Sequence, residues 1–368
     1  MSRNLPKVVC GIVGGVGPMA GVKLHEKIIQ FTPTNGTDQS HFCVHHVSQS
    51  QYIPDRTKFL LREQKTNENG QRGEANSESE LRPSSDVNTN PAYGATQAVK
   101  NLIQSTPRYH TLLVGVPCNT FHAPEIWNVF EAGIETYVHG KTKTDFASPV
   151  QIKTLHMIDE TIRYIQRVLY DDEKEFNENK PARIGLLSTE GTRDTRIYHN
   201  RFQQLNELTN GTRCNVISLC DAMQEKLSNV IYNEQYGIKA QSTPVNSRAL
   251  SGLRECCDHL IREYGCEIII LGCTELPLAL PATNCYQSVC GKQPPVRLVD
   301  PVETLAKAFV SIKHQMEMKS TFANNLLAPL QVRESLRQRE IENALLSRAQ
   351  SLERKRSIAL CSNDASGC

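Results

Sequence analysis

Leu112-Leu113-Val114-Gly115-Val116-Pro117-Cys118-Asn119-Thr120 is the stretch on which the reading of this chain turns. An unbroken apolar run bounded by turn formers marks a strand buried on both faces, as in a parallel sheet. It ends on a cysteine followed by small polar residues, at the strand end where open α/β sheets collect their ligands. The pattern returns at Ile268-Ile269-Ile270-Leu271-Gly272-Cys273-Thr274-Glu275, with a β-branched run, a glycine, a cysteine and a threonine. Two strand-end cysteines therefore sit in matched settings.

Working outward, each of these strands is preceded by a helical pattern. One begins at Asn90-Pro91 and carries Ala95, Val99, Leu102 and Ile103 on one face; the other spans 247–264. The chain opens with a strand over 7–13, the loop Gly14-Gly15-Val16-Gly17-Pro18 and a helix through Leu24, Ile28 and Ile29, which is the entry to a βαβ unit. A strand over 182–187 followed by Ser188-Thr189-Glu190-Gly191-Thr192 repeats that opening. The expected fold is therefore α/β: two similar domains with parallel sheets flanked by helices, related by a pseudo-two-fold axis, with the active site in the cleft between them. The expected boundaries are 1–135 for the first domain, completed by 298–320, and 145–297 for the second, with a charged helical or disordered tail over 321–368. Within this frame 41–47 reads as a strand, 121–130 as a helix whose start holds Cys118, 131–149 as a loop, 157–169 as a helix, 171–180 as a solvated connector and 296–301 as a final strand. Residues 63–90 are almost wholly polar and read as a disordered insertion.

Composition narrows the function classes. A formal net charge of +2 gives no electrostatic footprint for nucleic acid or a membrane surface, which points to a small-molecule partner. Thirteen cysteines, an odd number at irregular spacing, argue against a disulfide framework and for reduced thiols in the cytoplasm. Neither Cys256-Cys257 nor Cys285 with Cys290 has zinc-site spacing, and His41, His45 and His46 lack a carboxylate or cysteine partner, so no metal is expected. Arg3 and Lys7 before an apolar stretch outline a signal peptide, but Gly11, Gly14, Gly15, Gly17 and Pro18 break it too often, and no run reaches transmembrane length. Gly15-x-Gly17-x-x-Ala20 formally matches a dinucleotide fingerprint. Pro18 removes an N–H from that loop and no acidic residue closes a second strand, so no nucleotide cofactor is expected.

Two thiols facing one another across a pseudo-two-fold axis suit inversion at a single carbon. One thiolate removes a proton from one face while the opposite thiol returns a proton to the other. A thiol fits the task because its reference pKa of about 8.5 can be tuned by neighbouring donors. Asn119, Thr120 and Thr274 offer amide and hydroxyl donors for an α-carboxylate, and Glu275 can pair with an ammonium or orient Cys273. Arg56, just after Pro54, is a fork suited to a second carboxylate; spacing alone leaves equally open a surface arginine paired with Asp55. Each cysteine taken singly reads as well as a buried packing residue.

Taken together, Gly11-Ile12-Val13-Gly14-Gly15-Val16-Gly17-Pro18-Met19, Ile53-Pro54-Asp55-Arg56-Thr57, Pro117-Cys118-Asn119-Thr120, Ile184-Gly185-Leu186-Leu187-Ser188-Thr189, Gly272-Cys273-Thr274-Glu275 and Leu298-Val299-Asp300-Pro301 resemble the aspartate/glutamate racemase superfamily, its aspartate racemase branch most closely. The resemblance covers roughly residues 6–315. It implies a cofactor-independent racemase with Cys118 and Cys273 as the two bases and Arg56 at the distal carboxylate of aspartate. The same resemblance puts Lys239, in Tyr236-Gly237-Ile238-Lys239-Ala240, near that carboxylate and Thr189 among the substrate-binding residues. Glutamate racemases of the superfamily usually show Asp-Ser in the first loop and a histidine after the second Cys-Thr. Gly14-Gly15 and Glu275 stand there instead, which favours aspartate. A broader or glutamate-directed racemase, an isomerase or decarboxylase using the same cleft, and a non-catalytic amino-acid-binding protein remain the alternatives, with a homodimer left open.

Overall fold

A computed structural model describes residues 8–68, 89–105, 111–140, 151–171, 181–208, 214–281, 285–287 and 295–323. The chain separates into two compact units, 1–314 and 315–368. In the second, the described residues are the end of the last helix.

Within the first unit the elements run β1 (Val8–Gly14), α1 (Pro18–Phe31), β2 (Val44–Ser48), α2 (Arg56–Glu68), α3 (Pro91–Ser105), β3 (Thr111–Gly115), α4 (Pro124–Gly140), β4 (Gln151–Leu155) and α5 (Met157–Asp171). They continue with β5 (Ala182–Ser188), α6 (Glu190–Asp194), α7 (Ile197–Leu208), β6 (Cys214–Ser218), α8 (Asp221–Tyr232), α9 (Ser247–Tyr264), β7 (Ile268–Gly272), α10 (Leu276–Ala279), β8 (Cys285–Tyr286), β9 (Val296–Val299) and α11 (Pro301–Ala323). The strands form two sheets, ordered β2-β1-β3-β4 and β6-β5-β7-β9-β8. All pairings are parallel except the two-residue edge strand β8 on β9. Apart from β8 the two orders are the same: second strand, first, third, fourth. The expected two-sheet α/β architecture is what the chain adopts, and β3 and β7 hold equivalent central places in it.

These central strands are buried throughout, because helices cover both faces of each sheet. Alternation along β7 divides it between two cores. Ile268 and Ile270 pack in one with Ile184, Leu186, Tyr198 and Phe202, while Ile269 and Leu271 join the other with Leu253, Cys257 and Leu260. Helix α9 shows why its bounds are legible in the sequence. The Asn246 side chain accepts from the Arg248 N–H at 2.9 Å, and Gly265 leaves the helix at φ 62°.

The sequence reading and the structure differ at several elements. The 131–149 segment is not a loop up to residue 140, because Ile134 and its neighbours continue α4 against the core. The 121–130 helix begins later than expected. Residues Asn119–His122 form a short 3-10 turn, Ala123 is extended and α4 starts at Pro124, since the residue before a proline is driven out of the helical region. Strand β4 carries the exposed, polar pattern of an edge, which hides it in the sequence; it pairs with β3, so the first sheet extends to residue 155, past the expected boundary at 135–145. Strand β9 belongs to the second sheet, whereas α11 returns to the first, with Phe309 against Gly115. Residues 63–68 are the end of α2; the rest of the polar stretch, 69–88, lies outside the described residues, as do the connector 172–180 and the tail from 324.

One backbone approach fixes α3 beside the turn that leads into Arg56. A Cβ on Gly94 would stand 1.9 Å from the Tyr52 carbonyl oxygen. Gly94→Ala is expected to destabilise the protein by about 2 kcal/mol, the overpacking cost exceeding the gain in helix propensity, and a thermal melt checks it.

Candidate active site

Cys118 follows β3 by three residues and is 7% exposed. Its N–H donates to the Val116 carbonyl at 2.9 Å, and its own carbonyl caps the 3-10 turn by accepting from the Phe121 N–H at 3.2 Å. The thiol is therefore not seated on an α-helix N-terminus. The same carbonyl accepts from Nδ1–H of His122 at 2.8 Å, a ring that burial, reinforced by His156, keeps neutral by pulling its pKa well down. Three hydrogen bonds thus pin the backbone of the cysteine turn.

Cys273 follows β7 directly and is 5% exposed. Its thiol donates to Oε2 of Glu275 at 3.1 Å, and the Thr274 hydroxyl donates to the same oxygen at 3.1 Å. Burial raises the Cys273 pKa well above the usual thiol value, and the Glu275 carboxylate raises it further; Lys239 opposes them. Lys239 Nζ lies 3.9 Å from Glu275 Oε1 and 4.8 Å from the centre of the Tyr232 ring. The first glycine loop reaches this turn from the other half, since a Cβ on Gly17, at φ 96°, would meet Glu275 Oε1 at 3.0 Å. At rest Cys273 is a thiol held by a carboxylate. Removing that charge lowers the thiol's pKa, so Glu275→Gln, made in a Cys118→Ala background, is expected to let iodoacetamide alkylate Cys273 at lower pH. The pH profile of the alkylation rate checks this.

Both turns line one cleft, together with Val16, Asp55, Arg56, Thr57, Asn119, Thr120, Thr189, Tyr232, Lys239, Thr274 and Glu275. Every site residue proposed from the sequence is brought to it. Arg56 opens α2 and is half-buried. Its Nη1 donates to the Pro54 carbonyl at 3.3 Å, while Nε is buried with no hydrogen-bond partner. Burial works against its charge, but Cys118 and Asp55 outweigh it and hold the guanidinium protonated. No Arg56–Asp55 ion pair is among the contacts described; the guanidinium instead hydrogen-bonds the Cys118 side chain, and Nε is the donor left without a partner. Thr120 ties the halves together: its hydroxyl lies 2.8 Å from that of Thr192 and 3.3 Å from that of Thr189.

The sequence reading did not single out Thr57, Thr192, Tyr198 or Tyr232. Thr57 abuts Gly191 and Tyr198 bonds Asn119, contacts that cross between the halves and leave no signature in local spacing. The free space between the cleft walls is about 40 Å³, room for little more than one water. The histidines of the second strand lie elsewhere. His46 fills the space over Gly14 and Gly21 and meets His25 edge-on. No described helix is long and apolar enough to cross a membrane.

Comparison with known proteins bears on the family and the fold. Residues 150–309 match the family model described as Asp/Glu/Hydantoin racemase. The fold is similar to that of an aspartate racemase from Picrophilus torridus, at a TM-score of 0.52 and 20% identity over 84% of this chain and 94% of that one. It is also similar to an aspartate racemase homologue from Pyrococcus horikoshii OT3, at a TM-score of 0.50 and 17% identity over 84% and 100% of the two chains. At such identities the likeness speaks for the fold and not for the substrate. The family match therefore lies on the second half of the chain, and the two-sheet fold as a whole is similar to that of these structures.

Proposed function

We propose that this protein interconverts L- and D-aspartate without a cofactor, by two-base proton transfer at Cα between Cys118 and Cys273. The observation that carries the reading is that the two thiols, each ending the third strand of its sheet, line the same narrow cleft. In one direction the thiolate of one cysteine takes the Cα proton, and the electron pair of the C–H bond passes into the α-carboxylate. The thiol on the opposite face then gives its proton to Cα, leaving the inverted amino acid and the thiolate and thiol exchanged. Because the two thiols share one proton, their apparent pKa values belong to the pair.

The barrier to forming such a carbanion is high, so positioned donors must stabilise the charge that develops on the carboxylate. Thr120, Thr189 and Thr274 border the cleft with hydroxyls, and Asn119 with an amide. Arg56 grips the distal carboxylate, with Lys239 beside it. Glu275 holds Cys273 protonated when that residue serves as the acid.

The test is incubation of purified protein, freed of pyridoxal phosphate, with L-aspartate in D2O. Deuterium at Cα is expected to appear together with D-aspartate. Neither signal, with aspartate still bound, would leave an amino-acid-binding protein of the same fold, and turnover of glutamate at a similar rate would set aside the preference for aspartate.

A further inference from the structure

The cleft wall contains one amide whose orientation is fixed from behind. Asn119 is 3% exposed, and its side-chain oxygen accepts a hydrogen bond from the Tyr198 hydroxyl at 2.6 Å. The other end of the same amide, Nδ2, is buried and has no hydrogen-bond partner. Tyr198 comes from α7, far from Asn119 in the chain, and is itself fully buried. It is not among the residues that line the cleft. Its phenol is pushed strongly up by burial and stays neutral, a hydroxyl that can donate. Thr161 of α5 stands beside it and bonds in turn to Thr304 of α11 at 2.9 Å, so the tyrosine is seated where three helices meet.

A primary amide can turn over, exchanging oxygen for NH2, at no cost in shape. With the oxygen engaged by Tyr198, the NH2 end is left without an acceptor, and an unpaired donor in a buried wall is a standing cost that a bound acceptor removes. The α-carboxylate of an amino acid is such an acceptor, and its oxygens gain negative charge as the Cα proton leaves. A donor already fixed there favours the charged state over the ground state, because no reorientation is needed as the charge forms. Turned the other way, the amide would offer a carbonyl oxygen to that growing charge and oppose it.

We propose that Tyr198 is a positioning residue of the racemase: it locks the Asn119 amide so that Nδ2 donates to the substrate α-carboxylate. This inference rests on the function proposed above. The experiment is a double-mutant cycle with Tyr198→Phe, which keeps the ring, and Asn119→Ala, read as kcat and KM for L-aspartate in the full chain. Each single change is expected to lower kcat about 10- to 100-fold with a smaller effect on KM, since the donor counts most in the transition state. Tyr198→Phe in the Asn119→Ala background is expected to lose nothing further. Losses that multiply would mean Tyr198 acts through packing, and the inference falls. Asn119→Asp supplies a second check that does not disturb Tyr198: it retains the acceptor but has no donor, and wild-type turnover in that variant would overturn the proposal.

Should the wild-type protein racemise no amino acid, the proposed function fails and a separate readout still judges the amide. In the ligand-free protein labelled on asparagine, the Asn119 side-chain NH2 resonances are expected to shift in Tyr198→Phe, and unchanged resonances would refute the lock.

Discussion

Cys118→Ala and Cys273→Ala are each expected to lower racemisation of aspartate by about 1,000-fold or more, the loss of one partner in a two-base proton transfer. The two variants should nevertheless differ. With Cys273 gone, Cys118 can still take a proton from the enantiomer whose Cα–H faces it, and return one to the same face. Cα deuteration without inversion is then expected for one enantiomer in Cys118→Ala and for the other in Cys273→Ala. Measuring exchange and inversion separately for L- and D-aspartate in D2O reads this crossing. A variant that keeps racemising both enantiomers would show that one base suffices. Each substitution removes a single buried sulfur, 7% exposed at Cys118 and 5% at Cys273, so the cost in stability is about 1 kcal/mol and a melting curve separates it from the chemistry. The pH response of the two arms should also differ. Burial, with Glu275 adding to it, holds Cys273 well above the ordinary thiol value, so the arm in which Cys273 is the base gains rate as pH rises. Where Cys273 is the acid, its thiol is already formed at neutral pH.

Arg56→Ala is expected to lower kcat/KM for aspartate by about 100-fold, the value of a charge-assisted pair of hydrogen bonds at about 1.4 kcal/mol per tenfold. The guanidinium is held charged at the cleft wall, its Nε has no hydrogen-bond partner, and Nη1 makes one long bond to the Pro54 carbonyl. A planar fork so placed suits a carboxylate in two-point contact, so Arg56→Lys should restore only part of the rate. The discriminating measurement compares aspartate with alanine, which lacks the distal carboxylate. Arg56→Ala is expected to reduce the ratio of their kcat/KM values, and an unchanged ratio would place the distal carboxylate elsewhere. Arg56 also stands beside Cys118, so a drop shared equally by both amino acids would mean that its charge serves the thiolate instead.

The repeat in the sequence carried the architecture because strand burial and strand-end chemistry are local. Leu112 to Val116 and Ile268 to Leu271 are apolar without interruption, a pattern that fits a central parallel strand, and each leads to the cysteine that the cleft later receives. Helix α9 was legible to the residue because Asn246 and Gly265 are chemical stop signals. Strand β4 was not, since an edge strand with alternating exposed residues looks like loop until its partner β3 is known. The start of α4 was displaced by Pro124, whose effect on Ala123 outweighed the apolar run from Phe121.

By itself, the sequence determined that two similar α/β halves would each present a cysteine beside small polar donors, because backbone period, glycine loops and buried runs are written residue by residue. Only the tertiary structure decided which groups meet across the halves. Thr120 with Thr192, Gly17 against Glu275, and Tyr198 behind Asn119 are contacts between residues distant in the chain, and their formation depends on how sheets and helices pack. The protonation of Cys273 belongs to the same class: it follows from burial and from the distance to one carboxylate, which spacing along a chain does not specify.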